Sequence, residues 1–159
     1  MRIVAMADSH GDFYHLNQVI ENETGADCFL FLGDRKKELD DVRCLYPDKI
    51  ILSVRGNCDL SCEDKNTDIL VKDGYTIVYT HGHLYNAKKT RQELFELGKR
   101  HQAHMVLYGH THVPDISYRG GLYVVCPGSV GMPKDGKPTY AVIDFTPEHL
   151  VPVIKPLKA

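Results

Sequence analysis

Short apolar runs rich in Val, Ile and Tyr recur along the whole chain, and each closes in a polar or Gly-containing cluster. These runs predict strands at Ile3–Ala7, Cys28–Leu32, Lys49–Val54, Thr67–Val71, Thr76–Thr80, His104–Tyr108, Asp115–Ser117, Leu122–Cys126, Tyr140–Phe145 and His149–Ile154. Helical periodicity is rarer. Asp12 is suited to cap a helix in which Leu16, Val19 and Ile20 share one face. A second helix is predicted over Lys88–His101, with Leu94 and Leu97 on one stripe, and a shorter one over Glu38–Leu45.

Strand and helix alternate in the first half, which predicts parallel βαβ pairing there. The second half joins its strands by tight turns, Lys72-Asp73-Gly74-Tyr75 and Arg119-Gly120-Gly121, which predicts antiparallel pairing. So many strands exceed one comfortable open sheet, so the expected class is α/β, with two packed sheets and helices outside. No repeat, low-complexity tract or linker divides the 159 residues, and one domain over 1–159 is expected.

Composition narrows the function classes. No stretch approaches the roughly 20 apolar residues of a membrane span, so no membrane partner is expected. Met1–Ala7 breaks into Asp8-Ser9-His10 too early for a signal peptide, and a cytoplasmic location is expected. The net charge of -2 carries no basic footprint for general nucleic-acid binding. Five cysteines, an odd number without CxxC spacing, argue against a disulfide framework. The informative residues are the nine histidines.

Five polar clusters each follow a predicted strand: Asp8-Ser9-His10, Gly33-Asp34, Gly56-Asn57-Cys58-Asp59, His81-Gly82-His83 and Gly109-His110-Thr111-His112. Loops beyond the carboxyl ends of strands form the ligand crevice of an open α/β sheet, so these clusters can converge. Singly, each has a plain structural reading as a cap, turn or strand end. Together they supply carboxylate oxygens (Asp8, Asp34), an amide oxygen (Asn57) and imidazole nitrogens (His10, His81, His110, His112). Oxygen and nitrogen donors without sulfur suit Mn first, with Ni, Fe, Co or catalytic Zn as alternatives. Seven donors are too many for one such ion that keeps an open position. They suit two divalent metal ions about 3.5–4 Å apart that share a carboxylate, clamp a phosphoryl oxygen and activate a bridging water.

These blocks resemble the pattern D-x-H, G-D, G-N-x-[ED], H and G-H-x-H of the calcineurin-like metallophosphoesterase superfamily, over Arg2 to about Phe145. The resemblance is closest to its small bacterial and archaeal phosphodiesterase branch, which is related to a retromer subunit. It implies a four-layer α/β/β/α sandwich of two mixed sheets flanked by helices. It also implies that Asp8, His10 and His112 hold one metal, that Asn57, His81 and His110 hold the other, and that Asp34 bridges. Pro127-Gly128-Ser129 matches a family segment near the site, with Cys126 in place of the usual Asn. Larger members carry a His directly after the motif Asn; here that residue is Cys58, a poorer acid than imidazolium at neutral pH.

The implied function is a phosphoesterase, chiefly a phosphodiesterase, acting on a small phosphorylated substrate. Its catalytic group beyond the metals is sought among His83, Cys58 and Asp59. Asp59 can support a ligand histidine or cap its own turn. Of the remaining histidines, His15 and His149 are expected in solvent and His101 and His104 in local packing. The alternative from another class is a silent, protein-binding scaffold. The sequence marks no oligomer face.

Overall fold

The computed structural model describes residues 1–158, in which strict alternation of apolar side chains buries both faces of the central strands. In β1 (Arg2–Met6), Ile3 and Ala5 point one way and Val4 and Met6 the other, and all four are 0% exposed. β1 pairs in parallel with β2 (Cys28–Phe31), which pairs in parallel with β3 (Ile51–Ser53).

The second sheet begins with β4 (Thr67–Lys72) and β5 (Tyr75–Thr80), an antiparallel hairpin whose turn residues Asp73 and Gly74 both have positive φ. That is the turn chemistry the right-handed twist of a hairpin demands. β6 (Met105–Leu107) follows, then a second hairpin of β7 (Asp115–Arg119) and β8 (Leu122–Cys126), turning at Gly120-Gly121. The chain then returns to the first sheet with β9 (Thr139–Phe145) and β10 (Leu150–Pro156). The strand orders are β10-β9-β1-β2-β3 and β4-β5-β6-β8-β7.

Between the sheets, Ile3, Ala5, Leu30 and Leu32 meet Ile77, Tyr79, Met105 and Leu107. The outer face of the first sheet packs on α1 (Phe13–Asn22) and α2 (Glu38–Leu45). Leu16, Val19 and Ile20 of α1 fill that layer, each contributing about 1.5–3 kcal/mol by burial. The outer face of the second sheet packs on α3 (Gln92–Arg100) through Leu94, Phe95 and Leu97. The four-layer α/β/β/α sandwich of two mixed sheets is therefore the architecture.

Asp12 caps α1 as expected, its carboxylate accepting the His15 amide at 3.0 Å. Two expectations need correction. α3 starts at Gln92 rather than Lys88, because Asn86 sits in the left-handed region and the Thr90 hydroxyl accepts the Gln92 amide at 3.1 Å. The second half is not antiparallel throughout: β5, β6 and β8 run parallel. The α3 crossover allows this, since it returns the chain to the start of the sheet before β6 begins. Among the described residues, no helix is long and apolar enough to cross a membrane.

Candidate metal centre

The parallel runs put the carboxyl ends of β1, β2 and β3 and those of β5 and β6 at one edge of the sandwich, and all five polar clusters lie in the loops just beyond them. These loops are stitched together by backbone bonds: Asp8 N–H donates to Gly33 O at 3.0 Å, His10 N–H to Asp34 O at 3.1 Å and Gly109 N–H to His81 O at 2.8 Å. Five of the expected ligands, Asp8, His10, Asp34, His110 and His112, have positive φ, between 46° and 73°. Such conformations are uncommon outside glycine and cost of order 1–3 kcal/mol where they are strained, so the surrounding structure must hold them. Gly56 shows how tightly it does so: a Cβ there would lie 2.1 Å from Asp34 Oδ1.

The side chains meet in two groups. Asp8, His10 and His112 bring one donor atom each to within 4.8 Å of one another, and Asp34, His81 and His110 do the same. Asn57 joins the second group, with Oδ1 3.0 Å from His81 Nε2. Asp34 Oδ2 faces both groups, 3.7 Å from His10 Nε2 and 3.3 Å from His81 Nε2. Asp8 Oδ1 lies 3.4 Å from His112 Nε2 and 3.8 Å from His10 Nε2. Both Asp8 Oδ1 and His10 Nε2 are buried with no hydrogen-bond partner.

The tautomers sharpen this picture. His81 Nδ1–H donates to Leu32 O at 2.6 Å and His112 Nδ1–H to Met132 O at 2.7 Å, so both rings turn Nε2 inward. His110 turns Nδ1 to within 3.2 Å of His81 Nε2. Asn57 Oδ1, Asp34 Oδ2 and these nitrogens thus converge on one small volume.

The titrations reflect the same crowding. Burial opposes charge on His81, yet the Asp34 and Asp8 carboxylates outweigh it and raise its pKa. His110 is pushed down to about 4 by burial and by His81. Burial alone would raise Asp34, but the His81 ring and the Cys58 amide hold it well below the usual carboxylate range.

Supporting contacts reach beyond the expected set. The Asp59 carboxylate touches backbone rather than a histidine: Oδ2 accepts the amides of Asp34 at 2.9 Å and Gly56 at 2.7 Å, and Oδ1 that of Arg35 at 3.0 Å. It therefore fixes two ligand loops at once. Ser129 does not line a pocket; it is 0% exposed, donates Oγ–H to Asp8 O at 2.9 Å and accepts the Met132 amide at 2.7 Å. Glu38 escaped the sequence reading. Its Oε1 accepts Ser9 Oγ–H at 2.5 Å and the Gly11 amide at 2.8 Å, and Oε2 accepts the Lys36 amide at 2.9 Å. The legible signal was a charge on the apolar face of α2, beside Leu39 and Val42.

His83 stands beside the second group, its ring centroid 5.4 Å from that of His81 and its buried Nδ1 without a partner. Burial and the His81 charge lower its pKa. Cys58 is exposed; its amide donates to Asp34 Oδ1 at 2.9 Å, and its thiol falls into a group with His10 and Asp34 within 4.8 Å. Burial, then the Asp34 carboxylate, raise its pKa. His15 is half-buried rather than solvated, with Nδ1 2.6 Å from the Asp12 carboxylate. His104 accepts the Thr76 amide at 3.1 Å and packs edge-on against Tyr75, as local packing predicts, and His149 is exposed.

A two-sheet sandwich with Asp and His side chains gathered at one edge suits a metal-dependent hydrolase, and the family match gives the class. Residues 1–148 match the model of the calcineurin-like phosphoesterase superfamily domain, and the chain belongs to that superfamily. It is 27% identical over 135 residues to the probable metallophosphoesterase YsnB of Bacillus subtilis, covering 84% of this chain and 78% of that protein. It is 26% identical to the phosphodiesterase YfcE of Escherichia coli K12, covering 91% and 88%. The crystal structure of Vps29 complexed with zinc from Entamoeba histolytica shares the fold, with a TM-score of 0.80, 18% identity and coverage of 99% and 98%.

Proposed function

We propose that the chain is a dinuclear metal-dependent phosphodiesterase of small phosphorylated molecules. The observation that carries this reading is the convergence of donors: Asp8 Oδ1 and His10 Nε2 are buried and unpartnered, beside the inward ring nitrogens of His81, His110 and His112. In each group the donor atoms lie within 4.8 Å of one another, a spacing compatible with one divalent ion per group. Asp8, His10 and His112 would hold one, and Asn57, His81 and His110 the other, with Asp34 between them. When bound, such ions clamp a phosphoryl oxygen and lower the pKa of water toward neutrality. Manganese is our first choice, since hard oxygen donors share the site with imidazole.

The chain's own residues do the rest. Asp34, held as the anion, shares its charge between the two groups. The hydrogen bonds from Nδ1 of His81 and His112 to carbonyls fix ring orientation and raise ligand basicity. His83 is the group best placed to hydrogen-bond an oxygen of the phosphoryl or leaving group. Its lowered pKa makes it a neutral donor rather than an imidazolium acid. Cys58 is a weak acid at neutral pH, so substrates with good leaving groups are favoured. A hollow of about 360 Å³ next to Cys58, lined also by Arg35, Lys36 and Ser61, offers room for one ester arm. We place the enzyme in the cytoplasm, as one calcineurin-like domain.

The competing reading is a protein-binding scaffold, suggested by the likeness to Vps29. The complete donor set favours hydrolysis. Chelator-stripped protein should regain turnover of a chromogenic phosphodiester with Mn²⁺, exceed its turnover of the matching monoester, and lose both as Asp34→Asn. No turnover with Mn²⁺, Ni²⁺, Zn²⁺ or Mg²⁺ would favour the scaffold.

A further inference from the structure

The donor set so far contains no sulfur, yet one thiol stands within reach of it. The Cys58 Sγ, His10 ring nitrogen and Asp34 carboxylate oxygen lie within 4.8 Å of one another. A tetrahedral ion with Zn–S of about 2.3 Å and Zn–N of about 2.0 Å sets sulfur and nitrogen about 3.5 Å apart, so a side-chain rotation that closes at most about 1.3 Å completes the contact. Backbone geometry leaves only that rotation free. The Cys58 amide is tied to Asp34 Oδ1 at 2.9 Å, and the neighbouring Asp59 carboxylate anchors the Asp34 and Gly56 amides. The thiol therefore pivots about one bond at the rim of the centre, on its solvent side. The site it faces is short of partners, since His10 Nε2 and Asp8 Oδ1 are buried and unpaired.

We propose that Cys58 is a conditional metal ligand, which joins the centre when a thiophilic ion is loaded and stays out when a hard ion is loaded. Coordination replaces a solvent molecule on the metal with the cysteine sulfur; the thiol proton leaves to bulk water, and no electrons are transferred. Sulfur binds zinc and cobalt far better than manganese or magnesium. With a hard ion, the outward coordination position stays open to substrate. With a thiophilic ion, Cys58 occupies it, and the centre is both tighter and less reactive. The residue after the motif Asn would then select the working metal. This inference rests on the metal-centre reading proposed above and deepens it.

Cobalt reports the two separately. Stripped protein titrated with Co²⁺ should show visible d–d bands from the imidazole and carboxylate ligands, together with a near-ultraviolet sulfur-to-cobalt charge-transfer band. Cys58→Ser should keep the d–d bands and lose the charge-transfer band. Cys62→Ser, which alters the other thiol lining the same hollow, should keep both. Competition titrations should show the preference for Zn²⁺ over Mn²⁺ falling at least about tenfold in Cys58→Ser, the scale on which lost metal contacts register. Bound cobalt with d–d bands but no charge-transfer band would overturn the role of Cys58 and leave the metal centre standing. A charge-transfer band that survives Cys58→Ser would also overturn it, and no bound cobalt would overturn both readings.

Discussion

Replacing Asp59 by Ala should cost stability and metal binding together, although Asp59 belongs to neither donor group. Its carboxylate, 5% exposed, is the acceptor for three backbone amides. Two of them, those of Asp34 at 2.9 Å and Gly56 at 2.7 Å, are buried; the Arg35 amide at 3.0 Å is only partly so and can turn to water. Each buried donor left without a partner costs about 1–3 kcal/mol, which gives about 2–6 kcal/mol for the pair. Partial relaxation and water entry favour the middle of that span, about 3–4 kcal/mol. For a chain of this size that is a fall in Tm of roughly 6–16 °C. The same two amides belong to the loops that carry Asp34 and Asn57, so Mn²⁺ affinity should drop at least tenfold, a second-contact effect. Asp59→Asn, which keeps one acceptor oxygen, should fall between. The assays are thermal unfolding of the stripped protein and Mn²⁺ titration. A Tm within about 2 °C of wild type, with unchanged affinity, would refute the reasoning, because it would mean that these amides need no acceptor.

Three further outcomes follow from the geometry. Mn²⁺ at a hundred times its Kd should stabilise the stripped protein by about 2.7 kcal/mol for each ion bound, or roughly 5–11 °C per ion in a thermal scan, while Asp34→Asn should gain at most half the wild-type shift. Glu38 has its pKa lowered: burial would raise it, but the Ser9 hydroxyl and the Gly11 and Lys36 amides outweigh that. Its contribution is therefore complete above the ordinary glutamate value of about 4.3 and is lost as pH falls through the lower folded value, so the Tm gap between wild type and Glu38→Gln should be constant near neutrality and close in acid. His83→Ala should lower kcat on diesters by about 10²-fold, the scale of one lost hydrogen-bond donor to developing charge, with metal stoichiometry intact; an unchanged kcat would remove His83 from the site.

The elements were legible because most strands alternate or run fully apolar, and because Asp73-Gly74 and Gly120-Gly121 announce their hairpins. The shortfall lies in strand direction. Local turns speak for β4–β5 and β7–β8, but nothing local says that β6 lies parallel between β5 and β8, which depends on α3 crossing over the outer sheet face. Of the site, the gathering of Asp8, His10, Asp34, His81, His110 and His112 at one edge was legible from their chemistry and their places after strands. What holds them was not. Asp59 and Ser129 act by accepting and donating to backbone amides and carbonyls far along the chain, such as Asp34 N and Asp8 O, and Glu38 reaches Ser9 across 29 positions. Side-chain-to-backbone contacts of that range leave no periodicity to read.

The central claim is that the two donor groups hold two ions through a shared Asp34, and counting bound metal tests it most directly. Equilibrium dialysis of the stripped protein against Mn²⁺, with metal analysis of the retentate, should give two ions per chain in wild type and at most one in Asp34→Asn. A single ion in wild type, or full occupancy in the variant, would contradict the account.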